Sequence, residues 1–217
     1  VAASGLAGAA KSGSCISVGT VMPMTRQSTA GPLPWLSLTL AGLMAVLFAA
    51  LGPAPEAWVY DRAAIIHGEW WRLLSGHWVH SDGGHLIWNL GALLVLGWII
   101  ETRNRVMLFT GLLTGTFGVN LMLWLTLPEL ARYCGMSGVL NTLLLFAFAA
   151  LWCVATAPVL TVIGTLSFAK ILVEISAGQA LLTSAAWESV PQAHLAGWLI
   201  GLVLIILGFA PTADRAG

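Results

Sequence analysis

Six stretches of this sequence run almost without charge for about the length of a helix that crosses a bilayer: Trp35 to Leu51, His85 to Ile100, Val106 to Leu127, Ser137 to Ala155, Val159 to Ala177 and Ala193 to Ala210. A hydrocarbon core of about 30 Å takes roughly 20 predominantly apolar residues as a helix. Lipid offers the backbone no hydrogen-bond partner, so segments of this kind fold as helices that satisfy their own N–H and C=O groups. The rest of the composition agrees, with 58% apolar and 8% charged residues, against roughly 25% charged in a soluble domain. The expected fold class is all-α, a polytopic membrane protein built as a six-transmembrane-helix bundle.

Residues 1–33 are rich in Ser, Gly, Ala and Thr and have no continuous apolar run, which reads as a disordered leader. It fits neither a signal peptide nor a lipoprotein box, and its start residue is left open, because Met22 and Met24 stand just before the first apolar segment. The membrane domain is placed at 34–211 and a short tail at 212–217. One connection is long, Gly52 to Gly84, and its Trp58, Trp70, Trp71 and Trp78 suggest a loop lying at the membrane interface. With the N-terminus inside, Lys11, Arg26, Arg103, Arg105 and Arg215 fall on the cytoplasmic side and Arg62, Arg72 and Arg132 on the outer side, a modest excess in the expected sense.

The net charge is zero and the charges are scattered, so nothing resembles a nucleic-acid footprint; partners are expected in or beside the bilayer. Cys15, Cys134 and Cys153 form no CxxC pair and predict neither a disulfide framework nor a zinc site. His77, His80 and His85 lack the His-Glu-x-x-His spacing of a metalloprotease helix, so no metal and no cofactor is expected. Oligomeric state is not legible.

Polar side chains are costly inside a bilayer, and each one present is a candidate functional group. With the N-terminus inside, the second, fourth and sixth segments all begin on the outer side. Their polar residues, His85 and Asn89, Ser137, and His194, lie in the first turns and reach one depth. His85 and Asn89 are one helical turn apart and share a face. A serine hydroxyl needs a base to act as a nucleophile, and Ser137 within Gly135-Met136-Ser137-Gly138 and His194 within Ala193-His194-Leu195-Ala196-Gly197 supply the two groups. A serine opening a helix also has unpaired backbone N–H groups beside it, suited to an oxyanion, to which Asn89 could add an amide. Gly197 and Gly201 have the small-residue spacing that lets helices approach closely in lipid. The bland alternatives are a serine bonded back to its own helix and a packed histidine. Lys170 and Glu174, one turn apart on the fifth segment, are read as a local ion pair rather than as chemistry.

These residues resemble the rhomboid proteases over nearly all of 35–210: Trp71-Arg72 in the long loop, His80, His85 and Asn89 around the second segment, Gly135-Met136-Ser137-Gly138 opening the fourth, and Ala193-His194 with Gly197 and Gly201 on the sixth. The resemblance implies a six-helix rhomboid fold and a Ser137–His194 dyad without an aspartate. His85, Asn89 and the Ser137 backbone would hold the oxyanion. Trp71, Arg72, His80, Gly135, Gly138, Gly197 and Gly201 would take structural or supporting roles, and the fifth helix would be mobile beside the substrate's entry. The implied partners are a membrane-anchored protein substrate and the lipid bilayer, in a bacterial inner membrane with the active site toward the outer side.

A narrower resemblance is to rhombosortases, which process surface proteins bearing a C-terminal Gly-Gly motif, a transmembrane helix and a basic tail. It rests on Tyr60-Asp61-Arg62, on the run from Gly68 to His77, on Gly138-Val139-Leu140 and on Lys170 with Glu174, and it departs at Asn141 and Thr142, where His and Gly would be expected. Two other classes compete: a non-catalytic rhomboid-like binder of membrane segments, which would be expected to lack Ser137 or His194, and a transporter, for which polar residues would line a path through the bilayer.

Overall fold

The computed structural model describes residues 33–152, 157–178, 187 and 189–208. The expected leader before Leu33, the tail, and the far ends of the fourth and sixth apolar segments lie outside the described residues. Among those described, the chain is mostly helical: α1 (Trp35–Leu51), α2 (Arg62–Ile66), α3 (Arg72–Ser75), α4 (Gly83–Glu101), α5 (Arg105–Thr126), α6 (Ser137–Leu151), α7 (Ala157–Ala177) and α8 (Pro191–Ile206). By length and composition α4, α5 and α7 could each cross a membrane, while α1, α6 and α8 are shorter apolar helices.

Helix starts follow local chemistry. Asp82 accepts from the His85 N–H at 2.9 Å to open α4, and Asn104 accepts from the Met107 N–H at 3.1 Å to open α5. Pro191 starts α8, where its missing N–H removes nothing. The first turn of α1 has no cap of its own. Buried Glu101, at the end of α4, accepts from the Leu36 and Ser37 N–H groups at 2.9 and 2.7 Å and from the Ser37 hydroxyl at 2.8 Å, so an acid meets the positive end of the neighbouring helix. The opposite end of α5 is closed by a base from the long loop: Arg62 donates to the Leu123 and Leu127 carbonyls at 2.8 and 3.0 Å and stacks over Trp124.

The long loop is more ordered than an interfacial connection need be. Besides α2 and α3 it contributes β1 (Tyr60–Asp61), which pairs antiparallel with β2 (Arg132–Tyr133) in the register Tyr60 to Tyr133 and Asp61 to Arg132. This two-stranded ladder is an addition to the all-α expectation. It ties the segment between α5 and α6, just ahead of Ser137, to the long loop. Arg72, buried, donates to the Val59 carbonyl at 3.0 Å and to the Glu56 carbonyl, and pairs with Glu69 at 2.7 Å, tying three parts of the loop together.

In the centre α6 packs against α4, α5 and α8, while α1 rests on α4 and α7 packs chiefly on α8. The tightest seam joins α6 to α8: a methyl on Gly197 would fall onto the Gly138 carbonyl, and one on Gly138 would come to 2.9 Å from the Ala193 carbonyl oxygen. Such backbone approach is what small residues permit in lipid. Thr142 Oγ1 donates to the Gly197 carbonyl at 2.8 Å across the same seam. Asn141 donates back to the Ser137 carbonyl at 2.9 Å, so both residues at which the rhombosortase pattern breaks are accommodated.

Gly197→Ala is therefore expected to destabilise the purified protein by about 1–3 kcal/mol or more, the range for overpacking. Gly91→Ala, on an exposed face of α4 with nothing within 4 Å, should be neutral or stabilise by up to about 1 kcal/mol. Melting in detergent of the two single variants decides this, and equal melting temperatures would refute the seam.

Candidate active site

Ser137 is the first residue of α6 and His194 lies in the first turn of α8, so the seam that joins these helices also sets the two side chains face to face. Ser137 Oγ lies 2.9 Å from His194 Nε2, a hydrogen-bond distance. Both line a cavity of about 210 Å³, together with His85 and Asn89 of α4. Four of the sequence-derived candidates are thus brought to one place from three helices.

Backbone geometry prepares the serine. Gly135 has φ +108°, in the left-handed region that side chains rarely adopt, and any Cβ there would strike the His85 ring. Its N–H donates to the Gly76 carbonyl at 2.9 Å, fixing the turn against the long loop. The first N–H groups of α6 have no intrahelical acceptor and sit beside Ser137 Oγ. His85 Nδ1 is 3.1 Å from the Ser81 hydroxyl, and Asn89 donates one amide hydrogen to the His85 carbonyl at 2.8 Å, which leaves the amide a second N–H.

The remaining candidates are spread around this centre. Gly138, Gly197 and Gly201 lie in the α6–α8 seam, where a Cβ on Gly201 would come to 2.8 Å from the Leu145 Cβ. Trp71 and Arg72 are in the loop, away from the cavity lining; Trp71 is exposed and donates from its indole to the Ala57 carbonyl at 3.1 Å. His80 is fully buried, edge-on to His85 with ring centroids 5.1 Å apart, and neither of its nitrogens has a hydrogen-bond partner among the described residues. Cys134, near enough to Ser137 to be a rival nucleophile, is buried, and that burial together with Asp82 pushes its thiol up to about 12. A thiol so disfavoured as thiolate is chemically quiet.

One residue at the site was not singled out from the sequence, and one contact was not expected. Tyr133 stands in the cavity wall and donates from its phenol to the Gly135 carbonyl at 2.9 Å, and burial pushes that phenol up. Its only signal in the sequence is its position four residues before Ser137. Lys170 also lines the cavity, and its Nζ lies 2.6 Å from Glu174 Oε1, the ion pair expected from their spacing. Not expected was the other oxygen: Glu174 Oε2 lies 3.2 Å from His194 Nδ1.

The family model described as Rhomboid domain matches residues 67–211, a span that includes every residue lining the cavity. The chain belongs to the rhomboid family, whose members are in general serine proteases acting within membranes, and it is a membrane protein. No curated protein matches it.

Two buried histidines below the site make its stability depend on pH. Burial lowers His77 to about 4 and His80 to about 3, from an ordinary value near 6.5. Both stay neutral when folded and take up protons when unfolded, so the unfolded state binds more protons below about pH 6.5 and stability falls as the pH drops from there toward 4. The expected loss by pH 5 is on the order of 1–2 kcal/mol per histidine. Melting temperature in detergent should decline over this window, and less steeply in His80→Gln; an unchanged slope in that variant would count against the assignment.

Proposed function

We propose that this chain is an intramembrane serine protease in which Ser137 is the nucleophile and His194 the general base. The observation that carries this reading is the 2.9 Å contact between Ser137 Oγ and His194 Nε2 inside a cavity edged by amide and imidazole donors, in a member of the rhomboid family. Ser137 gives its proton to His194 Nε2 as Oγ attacks the scissile carbonyl carbon. The oxyanion that forms takes hydrogen bonds from the Ser137 N–H, the free amide hydrogen of Asn89 and His85. For His85 to donate from Nε2, the one hydrogen of the Ser81 hydroxyl must turn from Asp82 Oδ2, 2.9 Å away, to His85 Nδ1 at 3.1 Å. The C–N bond then breaks, His194 returns its proton to the leaving amine, and a water repeats the sequence on the acyl-enzyme. The serine, the imidazole and the donors complete this chemistry by themselves.

In this reading six apolar helices cross a bacterial inner membrane with the N-terminus inside, and the site opens toward the outer side. The substrate is a membrane-anchored protein with a C-terminal Gly-Gly motif, a transmembrane helix and a basic tail. The cavity of about 210 Å³ is smaller than common ligand pockets, and the Gly-Gly substrate rests on the narrower resemblance.

Co-expression of wild type, Ser137→Ala and His194→Ala with a reporter carrying such a tail, followed by mass spectrometry of the product, tests both parts. Cleavage by the wild type alone supports the dyad and the substrate class, and mass added at the new C-terminus would indicate transfer to an amine instead of hydrolysis. Cleavage only of a general rhomboid substrate would keep the protease and discard the Gly-Gly preference, and no cleavage of either would favour a non-catalytic binder. Asn89→Ala should lower kcat by about 10²–10³ with little change in KM, as loss of one oxyanion donor does.

A further inference from the structure

We propose that Glu174 is a positioning residue for His194, holding its imidazole in the tautomer and orientation that face Ser137, so that the working unit is Lys170–Glu174–His194–Ser137 rather than a dyad. The inference rests on the protease reading above.

A carboxylate only accepts hydrogen bonds. With Glu174 Oε2 at 3.2 Å from His194 Nδ1, that nitrogen must carry the hydrogen. The neutral ring then presents a bare Nε2, and this is the nitrogen 2.9 Å from Ser137 Oγ. Without an acceptor on the far side the ring could adopt either tautomer, and one of them is useless as a base.

The ion pair with Lys170 does not account for this arrangement. One oxygen, Oε1 at 2.6 Å, serves the ammonium, and neutralising a charge in lipid calls for nothing more. The Glu174 side chain is wholly buried, whereas that of Lys170 is 34% exposed and could follow its charge toward water. The carboxylate is instead held inward, between the ammonium and the imidazole. Packing places it there: α7 lies along α8, with Phe168 against Trp198 at 4.7 Å between centroids and the Trp198 indole donating to Ser167 Oγ at 3.2 Å. Trp198 is one turn beyond His194 on the same helix, so α7 is fixed to α8 at two levels.

Because it includes Lys170, the network adds no net charge to the dyad. Lys170 and Glu174 sum to zero before reaction. When the Ser137 proton reaches His194, the new imidazolium faces Glu174 and the new oxyanion faces its donors, so the site begins and ends neutral. In a medium of low dielectric constant this avoids a net buried charge.

The test uses the purified full-length protein in detergent: wild type, Glu174→Gln, Glu174→Asp, the pair Lys170→Met/Glu174→Gln, Ser137→Ala and His194→Ala. The double variant leaves no uncompensated ammonium in α7, so a folding defect in the single variant cannot obscure the result. Cleavage of the anchored reporter is followed as kcat and KM, and the His194 Nδ1–H signal, assigned by its absence in His194→Ala, by proton–nitrogen NMR. In Glu174→Gln and in the double variant kcat should drop by about 10²–10⁴, with KM little changed, as when the carboxylate of a triad becomes an amide. The downfield Nδ1–H signal should disappear, and Glu174→Asp should recover part of the rate.

Wild-type kcat and an unchanged Nδ1–H signal in both Gln variants would overturn the role of Glu174 while Ser137→Ala and His194→Ala, if inactive, left the dyad standing. If Ser137→Ala cleaves as well as wild type, the protease reading falls instead, and the Nδ1–H signal still decides whether Glu174 sets the imidazole.

Discussion

The backbone contact between α6 and α8 underlies most of what this chain does. Gly138 and Gly197 meet with no room for a methyl group, and Gly201 continues the seam against Leu145. Lipid tails are as apolar as leucine, so helices gain no hydrophobic advantage by meeting; close packing and interhelical hydrogen bonds must hold them. The seam provides both, through the glycines and through the Thr142 hydroxyl on the Gly197 carbonyl. Ser137 and His194 stand at the entry of the same two helices. The separation of Oγ and Nε2 is consequently a property of the seam, and a change of a few tenths of an ångström there reaches the reacting atoms directly.

Charged groups occur where a helix end or another charge can receive them. Glu101 closes the positive end of α1 and is itself approached by Arg105 at 3.5 Å, and Arg62 closes the negative end of α5. Arg72 satisfies loop carbonyls that would otherwise be buried without a donor. These pairings explain how the long loop becomes a platform under the site. Through the Gly76 carbonyl and the β1–β2 ladder it holds the turn at Gly135, and the turn holds Ser137.

Much of this was legible in the sequence. Apolar runs located the long helices among the described residues, because a bilayer-length segment nearly without charge has few other solutions, and the residues proposed for chemistry were found by asking which polar groups share a depth. The rest depended on pairings between distant segments. The ladder from Tyr60 to Tyr133 is only two residues long and has no periodicity to detect. Glu101 follows directly on the second apolar run, and nothing local marks it as the cap of a helix that starts 64 residues earlier. Asn141 and Thr142 departed from the expected pattern, yet Thr142 supplies a hydrogen bond across the seam. Glu174 was visible as an intramembrane acid, but the i, i+4 lysine offered a sufficient local explanation, and spacing on one helix cannot reveal which way the second carboxylate oxygen points.

That second oxygen separates a stabilising pair from a working one. Buried ion pairs are poor sources of stability: removing two charges from water costs several kcal/mol per ion, and well-packed apolar residues in their place are often neutral or stabilising. A helix with no other charged residue would be expected to lose little in lipid by replacing Lys170 and Glu174 with leucines, if neutralising each other were all they did. Arg105, which pairs with Glu101, is largely exposed, so that acid is explained by the helix end it caps. Glu174 lies in the last turn of α7, fully buried, with the general base of the proposed reaction on one oxygen and the lysine on the other. The energetic argument and the geometry lead to the same place, since the partner that gives the buried charge a purpose is His194.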